Sequence, residues 1–202
     1  TEIVTVGRSM VVSYDLEGKE LWRLKGMTQA TPTPVSGGGL LFLGSGTQTD
    51  AGRPMYAIRP GASGDISLAA GETSSQYVAW FVPKLSAYIP SPLFYRGRLF
   101  VVNDNGIMQV VEAATGKEIY RARVGGVGNT FSSSPFASNG RVYILSEDGD
   151  TFVFDAGTDT YVERAKNSLG EMSLATPAPG QNGLIVRTQT KLYRVQARPG
   201  SE

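Results

Sequence analysis

Two short runs carry most of the groups that could hold a metal or move a proton: Asn103-Asp104-Asn105-Gly106 and Glu147-Asp148-Gly149-Asp150. Carboxylate and amide oxygens followed by Gly echo the opening of a calcium loop, in which hard oxygen ligands wrap the ion. No Glu stands at the twelfth position to complete either loop. Asp-Asn-Gly and Glu-Asp-Gly are also strong hairpin sequences, because Asn and Gly accept positive φ. Both runs are therefore read as turns between strands. Ser132-Ser133-Ser134 offers three hydroxyls, but a Ser nucleophile needs an activating base. The chain has no His and no Cys, and no Lys stands nearby. Imidazole triads, thiol chemistry, disulfides and Cys/His zinc sites are thereby excluded. These hydroxyls are expected to face a channel and bond water. The Gly runs at 36–39 and 124–128 do not open a helix, so neither is a phosphate cradle.

Charge narrows the partners. Among 202 residues, 19 Lys and Arg oppose 18 Asp and Glu, for a net charge of +1. The basic residues are dispersed, which argues against nucleic acid. No run of about 18 apolar residues is present, so no membrane span is expected. Residues 1–6 lack the basic head and cleavage site of a signal peptide and read as the middle of a strand. Residues 197–202 read as a polar stop. The chain looks like a piece of a longer protein.

The elements that must position these groups repeat. Thr33-Pro34, Ser91-Pro92, Ser134-Pro135 and Thr176-Pro177 recur at spacings of 58, 43 and 42 residues. After each comes a tight turn and then an apolar strand, at 39–43, 97–102, 140–145 and 183–186. A further strand follows at 55–59, 107–112, 151–155 and 191–196, and residues 10–15 belong to the same series. Aligned on Asp15, Arg59, Glu112, Asp155 and Gln196, the intervals are 44, 53, 43 and 41. Insertions around 47–53 and 61–76 lengthen the irregular intervals. Within 61–76, Leu68-Ala69-Ala70 is locally helix-permissive. Trp22, Trp80, Tyr120 and the Tyr161-Val162 pair end the successive units. Trp22 precedes Pro34 by 12 residues, as Trp80 precedes Pro92. Four short strands per period of just over 40 residues predict an all-β chain, a β-propeller of about four to five four-stranded blades. Blades are expected at 2–24 (partial), 30–82, 88–124, 131–166 and 174–196 (partial), in one domain over 1–202. Each terminal ring should wedge between neighbouring blades.

The runs MVVSYDLEGKELW (10–22) and VVEAATGKEIY (110–120) resemble the blade signature of the PQQ-like, quinoprotein-like propeller repeats. The stretches YIPSPLFYRGRLFVV, SSSPFASNGRVYILSEDGDTFVFDAG and SLATPAPGQNGLIVRTQTKLYRV resemble the C-terminal half of bacterial proteins of that family. The resemblance implies part of a larger ring of about seven or eight blades and a periplasmic or extracellular location. It also implies a non-catalytic binding or scaffolding role. Two alternatives stay open: half of a quinone-dependent dehydrogenase, and a secreted hydrolase or lyase on the same scaffold. The dehydrogenase would need PQQ and calcium, with carboxylate and amide ligands and a carboxylate base. No cofactor is expected for this chain alone.

An up-and-down blade places the turns between its second and third strands on the same face as the inter-blade segments. That face carries 46–54, 103–106 and 147–150, together with the longer segments 24–31, 82–90, 122–132 and 164–175. Long loops on a rigid scaffold are where binding usually lives. Tyr88, Asp104, Asn105, Phe131, Asp148, Asp150 and Met172 on it are the candidate ligand contacts. Val4, Val6, Val11 and Leu21 at one end, and Leu184, Val186 and Leu192 at the other, are expected on blade faces without a neighbour. The expected partner is a companion chain that supplies the other half of the ring, or a second copy paired through the open ends.

Overall fold

Period-2 alternation broken by Gly and Asx turns yields strands throughout. The computed structural model describes residues 1–47, 52–180 and 183–196, and none of these is helical. Residues 48–51 of the expected insertion and the expected tail at 197–202 lie outside the described residues.

The strands form five sheets. The first holds β1 (Ile3–Val6), β2 (Met10–Tyr14) and β3 (Glu20–Lys25). The second runs β4 (Val35–Gly37), β5 (Leu40–Gly44), β6 (Met55–Ile58) and then β8 (Val78–Val82). Between β6 and β8, β7 (Gly64–Asp65) leaves the second sheet and pairs in parallel with β3 of the first. The helix-permissive insertion is therefore a short strand on a neighbouring blade. It is anchored there by the Lys25–Asp65 ion pair at 2.9 Å and by the Lys25 amide donating to Ser67 Oγ at 2.9 Å. The third sheet holds β9 (Leu93–Tyr95), β10 (Arg98–Val102), β11 (Ile107–Glu112) and β12 (Glu118–Arg123). The fourth holds β13 (Phe136–Ser138), β14 (Arg141–Leu145), β15 (Asp150–Asp155) and β16 (Glu163–Ser168). The fifth holds β17 (Ala178–Gly180), β18 (Gly183–Arg187) and β19 (Leu192–Val195). All pairings within these sheets are antiparallel except β3–β7, and the sheets are not closed into a ring.

Register repeats with the period. In four sheets the register shifts where the last two antiparallel strands pair, at Ser13/Tyr14, Ala57/Ile58, Val110/Val111 and Val153/Phe154. Such a bulge increases the twist, and its recurrence makes it a coordinate for aligning the sheets.

The aromatic residues lock one sheet to the next. Trp22 is buried among Leu43, Tyr56 and Ile58 of the second sheet and Ala62 of its β6–β8 connection. Trp80 lies against Leu99, Val101, Val111 and Ala113 of the third sheet, and its indole N–H donates to the Ala113 carbonyl at 2.9 Å. Tyr120 packs with Val142, Phe154 and Ala156 of the fourth, and Tyr161 meets Phe154 at 5.2 Å between ring centroids. Burying a ring of this size supplies about 3–5 kcal/mol against truncation to Ala. The open-end expectation holds only in part. Val11 and Val186 are buried, whereas Leu192 is 70% exposed.

The repeated Ser/Thr-Pro pairs form a second, polar lock. The Thr33 amide donates to Ser91 Oγ at 2.9 Å, the Ser91 amide to Ser134 Oγ at 2.9 Å, and the Ser134 amide to Thr176 Oγ1 at 2.8 Å. One relay of N–H to hydroxyl bonds thus crosses the innermost edge of four consecutive sheets. Each link is worth about 1 kcal/mol.

Candidate functional site

One face is built by the turns between second and third strands, each stitched to the inter-blade segments beside it. Phe131 N–H donates to the Asp104 carbonyl at 2.9 Å, Glu147 N–H to the Thr130 carbonyl at 2.8 Å, and Ser173 N–H to the Glu147 carbonyl at 3.0 Å. Gln189 N–H donates to the Met172 carbonyl at 2.8 Å, and Gly46 N–H to the Gln29 carbonyl at 3.2 Å. Backbone polar groups must find partners when water is excluded. Here each turn finds them in a neighbouring segment, which makes the rim continuous.

The carboxylates on this face are tied into that rim. Asp104 pairs at 3.0 Å with Arg53, whose side chain is only 7% exposed. Glu147 accepts from Ser132 Oγ at 2.5 Å and Thr130 Oγ1 at 3.1 Å. Glu171 accepts from Thr188 Oγ1 at 2.5 Å, from the Thr190 amide at 3.0 Å and from the Thr190 hydroxyl. These bonds, the Thr188 hydroxyl first, hold the Glu171 carboxyl below its ordinary range. Asp150 pairs with Lys166 at 2.7 Å, and that ammonium holds its carboxyl low as well. Asp148 is exposed. Among the described residues, no three acidic side chains converge where a cation could be held.

The other candidates separate. Asn105 organises its own turn: its side-chain oxygen accepts from Ile107 N–H at 3.1 Å, and its carbonyl from Arg123 at 2.8 Å. Phe131 is fully buried, with its ring 6.1 Å from Phe152, so it has no face to offer a ligand. It fills the space beneath Gly106, where an added Cβ would lie 3.1 Å from the Phe131 ring. Tyr88 is half-buried beside Gly46. Met172 is 45% exposed, and Leu174 (48%) and Val127 (92%) on neighbouring inter-blade segments are exposed with it. Met172 and Leu174 border a shallow hollow of about 120 Å³ with Arg187, Thr188 and Gln189. Neither Val127 nor Leu174 is marked by a motif. Ser132, Ser133 and Ser134 bond protein groups: Glu147, the Leu145 carbonyl at 2.6 Å, and the Ser91 amide. No motif marked the rim's Arg53 and Glu171, and Glu147 was legible only as the first residue of a turn. The relay's hydroxyls were visible in the sequence only as companions of the repeated prolines.

The fold recurs in solved structures of low sequence identity. BamB from Moraxella catarrhalis superposes with a TM-score of 0.61 at 13% identity, covering 93% of this chain and 51% of that one. The computationally designed Ika8 protein gives 0.62 at 14% identity, covering 96% and 57%. Raptor from Chaetomium thermophilum gives 0.63 at 13% identity, covering 99% and 19%. The chain thus spans about half the length of that BamB. No curated protein matches it in sequence. Residues 62–202 match the PQQ-like repeat family described as "Outer membrane protein assembly factor BamB". Since that match takes in well over half of the chain, including the three latest Ser/Thr-Pro repeats and their blades, this protein belongs to the BamB-like family of PQQ-like β-propellers.

Proposed function

We propose that this chain is a non-catalytic, protein-binding part of a propeller scaffold that serves outer membrane protein assembly, in the periplasm. The observation that carries the reading is the contrast on one face. Asp104, Glu147 and Glu171 on it are occupied in holding loops, while Val127, Met172 and Leu174 stand exposed on the inter-blade segments. Chemistry needs free, convergent polar groups. Docking needs apolar anchors on a rigid frame, rimmed by satisfied polar groups. No cofactor is proposed for the chain alone, since an open groove buries too little of a small ligand.

The test is the double substitution Met172→Asp with Leu174→Asp in the full-length protein of the source bacterium. Both side chains are exposed, so the fold should survive. Co-purification with the outer-membrane barrel-assembly machinery should be lost. Retention at wild-type levels would overturn the reading. So would stoichiometric binding of PQQ and calcium with substrate-dependent dye reduction.

A further inference from the structure

One outer strand holds a segment from another blade on its edge, and a second outer strand repeats it in chemical type with that edge vacant. β3 reads Glu-Leu-Trp-Arg-Leu-Lys and β12 reads Glu-Ile-Tyr-Arg-Ala-Arg. The register shifts align the two without a gap, because Ser13 faces Trp22 and Val110 faces Tyr120 beside the shift. Arg23 pairs with Glu20 at 2.6 Å, as Arg121 pairs with Glu118 at 3.1 Å. Gly26 N–H donates to the Ser9 carbonyl at 3.1 Å, and Val124 N–H, in the same position, donates to the Gly106 carbonyl at 2.9 Å. Even-numbered residues of both strands thus turn their backbone groups inward. The odd ones, Arg23 and Lys25 on β3 and Arg121 and Arg123 on β12, turn theirs to the outer edge.

On β3 those outward groups are in use. β7 lies parallel to it, with Gly64 opposite Trp22 and Asp65 opposite Arg23. Ile66 N–H donates to the Arg23 carbonyl, and Lys25 N–H to Ser67 Oγ, both at 2.9 Å. The Lys25 ammonium takes the Asp65 carboxylate, and Ile66 and Leu24 are buried in one apolar cluster. On β12, among the described residues, no strand lies beyond the edge, and Ala122, in the place of Leu24, is only half-buried. The difference has a topological cause. The cover of β3 comes from the long β6–β8 connection of the next sheet, residues 59–77, whereas the matching β15–β16 connection beside β12, residues 156–162, is too short to send a strand back. A hollow of about 550 Å³ borders the start of the β12 edge, lined by Arg98, Lys117, Glu118, Ile119 and Asp159 among others. Arg123 donates one N–H to the Asn105 carbonyl at 2.8 Å, which holds the guanidinium at the edge with further N–H groups to offer. The remaining four-stranded blades lack this set. β8 puts Phe81 and Pro83 where β3 has Arg23 and Lys25. β16 puts Ser168 in the place of Lys25, and its Lys166 is paired with Asp150.

We infer that the outer edge of β12 is a strand-docking site, separate from the apolar rim, for an extended Gly-Asp-apolar-Ser segment of a partner protein, bound parallel to β12 as β7 is bound to β3. The backbone of the segment bonds Arg121 and Arg123, its Asp carboxylate meets the Arg123 guanidinium, and its apolar residue covers Ala122. Main-chain bonds to a sheet edge supply affinity, and the charged and apolar contacts supply selectivity. A second copy of this chain is a poor donor, since its own Gly64–Ser67 segment is held on its own β3.

The probe is a synthetic peptide with the sequence of residues 61–69, GASGDISLA, added to the isotope-labelled full chain at up to millimolar concentration. Hydrogen exchange read by NMR should show protection of the Arg121 and Arg123 amides, saturable with peptide. A nitroxide on the peptide N-terminus should broaden the Glu118 amide and spare that of Val124, as a parallel strand requires. Arg123→Ala should weaken binding about threefold, the effect of one exposed ion pair. Arg123→Glu should weaken it further, and a peptide carrying Asp65→Lys should restore it. No protection at Arg121 and Arg123, broadening at Val124 instead of Glu118, or binding indifferent to the Arg123 substitutions would overturn the inference. That failure would leave the apolar-rim reading standing, because Met172 and Leu174 are probed by a different experiment with a different partner.

Discussion

Gly116 gives the sharpest test of how the blades are locked. Its φ is +71°, and a Cβ built on it would lie 2.8 Å from Cδ2 and 2.9 Å from Cε3 of Trp80. Trp80 cannot retreat freely, because its indole N–H is held by the Ala113 carbonyl at 2.9 Å. Gly116→Ala therefore carries two costs. An L-residue in the left-handed region costs about 1–2 kcal/mol. Crowding a packed ring costs about 1–3 kcal/mol more. Gly126→Ala is the control. Its φ is +89°, and nothing lies within 4 Å of its added Cβ, so only the backbone cost of about 1–2 kcal/mol applies. For a chain of this length each kcal/mol moves Tm by about 2–4 °C. Thermal unfolding followed by Trp fluorescence should show a drop of about 4–20 °C for Gly116→Ala against about 2–8 °C for Gly126→Ala; the backbone cost is common to both, so the crowding alone separates them by about 2–12 °C. In a double-mutant cycle, Trp80→Phe should relieve at least about 1 kcal/mol of the Gly116→Ala penalty. Equal losses in the two glycine variants, or additivity with Trp80→Phe, would refute the close approach.

Tyr120 is buried with no partner for its hydroxyl among the described residues, and that burial pushes its phenol pKa up to about 12. Tyr120→Phe should therefore raise stability by about 1 kcal/mol at neutral pH by removing an unsatisfied group. The pKa is higher in the folded chain than in the unfolded one. The wild type should accordingly lose stability as pH climbs from about 10 through about 12, and urea titrations of the variant should lack that loss. Asp150 has the opposite sign, because Lys166 holds its carboxyl low in the folded chain. Asp150→Asn should cost about 0.5 kcal/mol at neutral pH, the scale of a half-exposed pair. The difference from wild type should close as pH falls below about 4, and a gap that persists in acid would count against the ion pair.

The propeller was legible in the sequence because its determinants are local. Alternation makes a strand, Gly and Asx make turns, and the repeat interval states how much chain one blade consumes. Ser/Thr-Pro at 58, 43 and 42 residues and a ring at the end of each unit are one-dimensional signals. The family resemblance rested on the same signals, and the match over residues 62–202 bears it out. What the rim does was not legible, because it depends on residues that only folding brings together. Arg53 and Asp104 are 51 positions apart and meet as a partly buried pair. Phe131 looked like a loop aromatic, yet it is core, because Gly106 leaves it room and Phe152 covers it. The 61–76 insertion has no pattern that announces a parallel strand, since β3 supplies its partner from another blade. The repeated hydroxyls are visible along the chain. That Ser91, Ser134 and Thr176 each accept the amide of the preceding sheet is a property of the spacing between blades, which the packing of the aromatic wedges helps to set.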